Sequence, residues 1–200
     1  MKMKIILALT ATIFFVACSK RTDAPYVTEK NSSINQKIMN EVTSMPSTQA
    51  MKNSYNLLSA GNKSEIWKQH LQNYLTDKSL SNFQKEIVGS FISVISPEIF
   101  MSRETGRAFL AKEEVAKLVY TSKKAFTINQ IYNIFGKLGG ETTSFEEDPG
   151  SGCTCNASSS FCSGQNVTCI NSMWQCTTSS SGCGWLWLQE CNGRCGWTPS

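Results

Sequence analysis

Cysteine placement constrains the fold of this chain more than any other feature, because eight of its nine cysteines lie within residues 153–195. An even number of closely spaced cysteines in a small module indicates a disulfide framework formed in an oxidising compartment. So short a segment buries little apolar surface, which makes cross-links necessary. Eight cysteines allow roughly a hundred pairings, and the spacing favours only that Cys153 and Cys155 have different partners. The eight predicted disulfide cysteines are Cys153, Cys155, Cys162, Cys169, Cys176, Cys183, Cys191 and Cys195.

The cysteine-rich stretch also carries a family resemblance. Its pattern consists of Cys153-Thr154-Cys155, near-regular steps through Cys162, Cys169 and Cys176, the turn Gly182-Cys183-Gly184 followed by Trp185, and the closing Cys191-Asn192-Gly193. With this pattern the chain resembles the exported proteins of the bacteriocin fulvocin C-related family. The resemblance implies that residues 153–200 form a bacteriocin-like module that acts on the envelope of competing bacteria.

The amino terminus predicts export. Two lysines precede an uncharged run, residues 5–17, which is too short to cross a bilayer as a permanent helix. The run ends in a segment, Phe15-Val16-Ala17-Cys18, that resembles a bacterial lipobox and implies a signal peptide over residues 1–17 with lipid attached to Cys18. Setting Cys18 aside leaves an even number of cysteines, which supports this interpretation. The expected partner is a membrane, at the outer membrane or cell surface, and an ordinary secretory peptide is the alternative.

Composition divides the rest of the chain into four parts. Residues 18–33 are polar and predict a tether, whereas apolar residues recur at helical spacing over residues 34–138. Residues 139–152 are acidic and aperiodic, and predict a flexible linker before the module over residues 153–200. The predicted fold class is therefore an all-α helical domain followed by a small disulfide-rich module with short β-strands.

Six helical segments are expected in the middle region. Capping boxes begin two of them, at Ser81 and Thr127. Ser64 is the expected N-cap of another helix, after a preceding helix that ends at Gly61. A long helix is expected from Pro97 to Tyr120, with an interruption at Gly106.

Candidate catalytic groups are scarce. The single histidine, His70, lies in a predicted helix without a catalytic motif nearby, and we interpret it as a residue at the helix surface or boundary. A tetrahedral metal site needs several histidines or reduced cysteines, and the small net charge of +4 does not favour nucleic acid. We therefore predict no enzyme activity, cofactor, metal, nucleic acid or small-molecule substrate.

Tryptophans are the candidate residues for contact with a membrane or target. The run Trp185–Leu188 alternates Trp with Leu, so a strand here would place two indoles on one face. An exposed indole face suits a membrane interface or a partner's groove, and simple core filling is the open alternative. The candidate contact residues are Trp174, Trp185, Trp187 and Trp197.

Two processing questions and three function classes follow. Gly139-Gly140 resembles a double-glycine leader site, but helix capping by Gly139 is the favoured interpretation, and cleavage elsewhere in the linker would release the module. The leading function is a bacteriocin-like lipoprotein that acts on a competitor's envelope. The alternative is a non-toxic, surface-exposed binding or protective module, and an exported thiol oxidoreductase is disfavoured because the chain has no C-x-x-C motif.

Overall fold

The computed structural model describes residues 36–139, 152–159, 161–162, 167–171 and 176–197. A helical region is followed by a small module with short antiparallel strands and four disulfides, which confirms the predicted fold class. The predicted signal peptide, lipidated Cys18, the tether and nearly all of the linker lie outside the described residues, as does Trp174. Trp197 is described only by its backbone.

The described helical region contains seven α-helices, one 3-10 turn and one π-helical segment. The α-helices are α1 (36–43), α2 (Thr48–Asn56), α3 (Ala60–Leu75), α4 (Asn82–Val94), α5 (Arg103–Ala111), α6 (Glu113–Ala125) and α7 (Ile128–Ile131). A 3-10 turn, Pro97–Phe100, precedes α5, and a π-helical segment, Tyr132–Gly136, continues α7.

Both predicted capping boxes are confirmed. Ser81 Oγ accepts a hydrogen bond from the Gln84 amide at 3.3 Å, while the Gln84 side chain accepts one from the Ser81 amide at 2.9 Å. Thr127 and Gln130 form the same reciprocal pair at 3.2 and 2.9 Å. Each box satisfies two amides that a helix start leaves without intrahelical partners.

The start of α3 differs from the prediction. Ser59, not Ser64, is the N-cap, because Ser59 has an extended backbone and its side chain accepts from the Asn62 amide at 3.2 Å. Gly61, expected to end the previous helix, lies in the first turn of α3. Ser64 is fully buried within the helix, so its hydroxyl does not cap an end.

The long helix expected over residues 97–120 is wrong. This stretch forms a 3-10 turn, α5 and most of α6, and the break between the two helices is at Lys112, which is extended (φ −61°, ψ 138°). Gly106 remains helical within α5. A Cβ added there would lie 3.2 Å from the Leu188 carbonyl oxygen, so glycine permits close approach of the module instead of breaking the helix.

Gly139 has the positive φ, 86°, that its favoured interpretation requires. The helical segment before it already ends at Gly136, however, so Gly139 does not occupy the capping position. Its φ instead serves the turn that places it beside the Met51 side chain.

The module contains two small antiparallel sheets. Strands β1 (Val167–Asn171) and β4 (Gly193–Trp197) pair with Cys169 opposite Cys195, and β2 (Ser179–Cys183) pairs with β3 (Gln189–Cys191). A further bridge joins Cys155 to Gly193. Two-stranded sheets are marginal by themselves, so the cross-links carry much of this fold.

Four disulfides join residues within the module. The pairs are Cys153–Cys176, Cys155–Cys169, Cys162–Cys195 and Cys183–Cys191. Cys153 and Cys155 have different partners, as predicted. The sulfurs of Cys155, Cys162 and Cys195 lie within 4.8 Å of one another, but each is oxidised in a disulfide. This degree of cross-linking indicates an oxidising compartment.

One hydrophobic core joins the helices to the module. It contains residues from all seven described helices or their flanks together with Phe161 and the run Trp185–Leu188 from the module. The predicted boundary at residues 139–152 therefore marks a change of secondary structure, while the core continues across it.

Candidate functional site

The run Trp185–Leu188, hereafter the docked loop, is buried in the helical core. The strand considered for this run does not form: the residues form a 3-10 turn, and Leu186 and Trp187 have positive φ values of 52° and 57°. Gly184, with φ 68°, turns the chain into the loop, and the Cys183–Cys191 disulfide closes it. A strand would bury one face, whereas this turn leaves all four side chains at most 4% exposed.

Trp187 fills the part of the core formed by α2 and α3. Its ring meets Tyr55 edge-on at a centroid distance of 5.0 Å and Trp67 at 5.9 Å. The indole Nε1 donates a hydrogen bond to the Gly136 carbonyl at 2.8 Å. The polar group of this buried side chain is therefore satisfied, as burial requires.

Trp185 occupies a second aromatic cluster. Its ring stacks on Phe91 at 5.6 Å and lies 5.0 Å from both Phe135 and Phe161. Trp185 and Trp187 are thus core residues, which agrees with the core-filling alternative and leaves neither ring at the surface of this fold. For Trp174 and Trp197, contact with a membrane or target stays a prediction.

Lys52 of α2 lies beneath the docked loop and is only 7% exposed. Its Nζ donates to the Thr154 carbonyl at 3.0 Å and lies 3.3 Å from Cys183 Sγ and 3.9 Å from Cys191 Sγ. The same nitrogen is 5.9 Å from the centre of the Trp187 ring. Burial lowers the pKa of Lys52 to about 8, because these neutral groups replace only part of its hydration.

Sequence reasoning missed Lys52. It neighbours the apolar stripe of α2, where a lysine ordinarily extends its charge into water. Its sulfur contact with Cys183 spans 131 positions in the chain, so periodicity within the helix could not reveal it.

Polar contacts surround the edge of the docked loop. Arg103 of α5 pairs with Glu190 of β3 at 2.6 Å, with both side chains about a third exposed. Ser181 donates to Asn56 at 3.0 Å on another side. Partly exposed ion pairs contribute at most about 1 kcal/mol, so these contacts orient the module and the buried loop supplies most of the attachment.

The predicted position of His70 is wrong, because this residue is buried, with 6% exposure. Its Nε2 lies 3.2 Å from the Asn133 carbonyl oxygen and 3.1 Å from that of Ile134, so the neutral ring donates to the end of the helical region. Burial lowers the pKa of His70 to about 4. The histidine therefore acts as a structural link between α3 and the π-helical segment.

The site combines an apolar docking interface with a cation placed against a disulfide. In the part of the chain that the structure covers, no helix has both the length and the apolar character to cross a bilayer. Comparison of the chain with known protein families, curated proteins and solved structures found no match.

Proposed function

We propose that this chain is an exported lipoprotein, anchored through Cys18, whose helical region and cysteine-rich module work as one body at a bacterial surface. The lipobox-like segment supports the anchor, and the four disulfides support a location outside the reducing cytosol. The proposal includes no catalytic step.

The first candidate role is a non-toxic, surface-exposed binding or protective module, and the buried docked loop is the observation that supports it. Burying a large apolar side chain contributes roughly 1.5–3 kcal/mol, so the four residues of the loop contribute roughly 6–12 kcal/mol. A typical domain has a total stability of about 5–15 kcal/mol. Withdrawing the loop would therefore cost about as much as unfolding the protein, which favours a module that stays docked.

The second candidate is the bacteriocin-like activity, favoured by the cysteine pattern. A segment of two tryptophans and two leucines, once freed, suits a membrane interface. In this candidate the helical region holds the module in a latent form, and the module acts on a competitor's envelope after release. All four disulfides lie within the module, so a cut within residues 140–151 would leave it covalently intact.

A growth assay on one preparation separates the two candidates. The mature chain and a chain cut within residues 140–151 are each applied to related bacteria, with a reduced and alkylated sample as the control. The first candidate predicts no growth inhibition, with the cut module still bound to the helices on a sizing column. Inhibition by the cut chain that disappears on reduction would support the second candidate and contradict the first.

Mass spectrometry under non-reducing conditions tests the anchor and the compartment together. The native product is expected to begin at Cys18, to carry acyl chains there, and to lack free thiols among its remaining eight cysteines. A product that lacks the acyl chains contradicts the anchor. Free thiols in the module contradict the oxidised fold.

A further inference from the structure

The contact between Lys52 and one disulfide carries an inference that goes beyond either candidate role. Lys52 Nζ lies 3.3 Å from Cys183 Sγ and 3.9 Å from Cys191 Sγ, on the buried side of the docked loop. We propose that Cys183–Cys191 is a thiol-exchange site that takes electrons from a dithiol, with Lys52 stabilising the thiolate that leaves.

The cation favours the reduced form of this bond. A disulfide is neutral and gains little from a nearby ammonium, whereas reduction places negative charge on sulfur. Cys183 Sγ is already at hydrogen-bond distance from Lys52 Nζ, so a thiolate there would receive a charge-assisted hydrogen bond. Neighbouring lysine lowers the pKa of a thiol in the same way, and burial strengthens the interaction by excluding water.

The geometry assigns the two sulfurs different roles. A thiolate of the dithiol attacks Cys191 Sγ, a mixed disulfide forms, and the Cys183–Cys191 bond breaks with its electron pair on Cys183 Sγ, the sulfur nearer Lys52. The second thiol of the reductant then loses its proton to Cys191 as it displaces that sulfur. The products are the cyclic disulfide of the reductant, the Cys183 thiolate and the Cys191 thiol.

Local opening of the hairpin gives the dithiol access. Both sulfurs are buried, but β2 consists of Ser179-Ser180-Ser181-Gly182-Cys183 and offers few apolar contacts. Its pairing with β3 is irregular between Ser179 and Cys183. Short strands of this kind open at low cost relative to the core, so the bond can be exposed while the helices stay folded.

Redox equilibration of the full mature chain tests the proposal. The chain is incubated with defined mixtures of reduced and oxidised dithiothreitol, thiols are trapped by alkylation, and each cysteine pair is quantified by mass spectrometry. Lys52→Met should lower the equilibrium constant for reduction of Cys183–Cys191 about tenfold, which corresponds to about 1.4 kcal/mol. The other three disulfides should not change.

Lys63→Met is the matched control, because it removes the same charge near the same helices. Lys63 Nζ donates to the Asn56 carbonyl at 3.2 Å and lies 5.4 Å from the centre of the Tyr55 ring. This variant should leave all four equilibria unchanged. If Lys52→Met shifts all four pairs together, or leaves Cys183–Cys191 unchanged, Lys52 acts only on stability and the proposal is wrong.

Thiolate absorbance of the wild-type protein tests the proposal even if the Lys52→Met variant does not fold. Wild-type protein with only Cys183–Cys191 reduced should show the ultraviolet absorbance of a thiolate at neutral pH, which an ordinary thiol with a pKa of about 8.5 would scarcely show. In a folded Lys52→Met variant this absorbance should be lost. Wild-type protein without thiolate absorbance would refute the proposal directly.

Discussion

Replacing Trp187 with alanine should destabilise the helical region, although Trp187 belongs to the cysteine-rich module. Its side chain is 1% exposed, packs edge-on against Tyr55 and Trp67, and donates to the Gly136 carbonyl. Truncating a buried aromatic side chain typically costs about 3–5 kcal/mol, because transfer free energy is lost and a cavity remains. Here the Gly136 carbonyl also loses its donor, so we expect a loss toward the upper end of that range.

Urea unfolding of the oxidised chain measures the effect with two probes. Circular dichroism reports mainly on the helices, and tryptophan fluorescence reports on the core that contains the docked loop. Because the two regions share this core, both transitions should move to lower urea by the same amount in Trp187→Ala. The control is Ile170→Ala in β1, where the side chain is 47% exposed and the change should stay within about 0.5 kcal/mol.

A divergence of the two probes would refute this reasoning. If the helical transition of Trp187→Ala coincides with that of the wild type while fluorescence changes, the helices fold independently of the loop. Withdrawal of the loop would then cost much less than unfolding the protein, and a freely released module would become the better hypothesis.

Four further substitutions test other parts of the structure. His70 has a folded-state pKa of about 4 against an ordinary value of 6.5, so the unfolded chain takes up a proton at this residue first as the pH falls. The free energy of unfolding should therefore decrease by up to about 3 kcal/mol as the pH drops from 6.5 toward 4. In urea titrations over the same pH window, His70→Gln should lose less unfolding free energy than the wild type. Gly193→Ala would push a Cβ against the backbone and sulfur of the facing strand, so we expect low yields of the correctly paired module on a non-reducing gel. Gly89→Ala, with open space around it in α4, should instead raise the free energy of unfolding by about 0.5–1 kcal/mol, measured as a higher melting temperature. Tyr55→Phe leaves the buried Trp67 indole without the acceptor it has at 3.0 Å, and thermal melting should show a loss of about 1–3 kcal/mol.

Local interactions explain what was predictable in the helical region. The boxes at Ser81 and Thr127 depend on residues three positions apart, and the structure contains both. Ser59 and Ser64 show where prediction from local residue type fails. Each is a reasonable cap by residue type, and the choice between them depends on which one the surrounding packing leaves at the surface.

The docked loop could not be placed from its own residues. Alternating Trp and Leu fits a strand with one buried face, but the Cys183–Cys191 bond and the positive φ of Gly184 hold the segment in a compact turn. Its burial depends on Tyr55, Phe91 and Phe135, which lie far away in the chain. The even cysteine count predicted the framework, whereas the individual pairs required three-dimensional proximity.

Burial of the docked loop also determines what an incomplete copy of this protein would lack. Because the helical region precedes the module in the chain, a copy without Trp185–Leu188 would have helices with an unfilled apolar cleft. The loop fills the cleft stably only when Cys191 and Cys195 are also present to cross-link the module in an oxidising compartment. A message truncated shortly before these codons would therefore yield helices with exposed apolar surface, a ready substrate for chaperones and proteases.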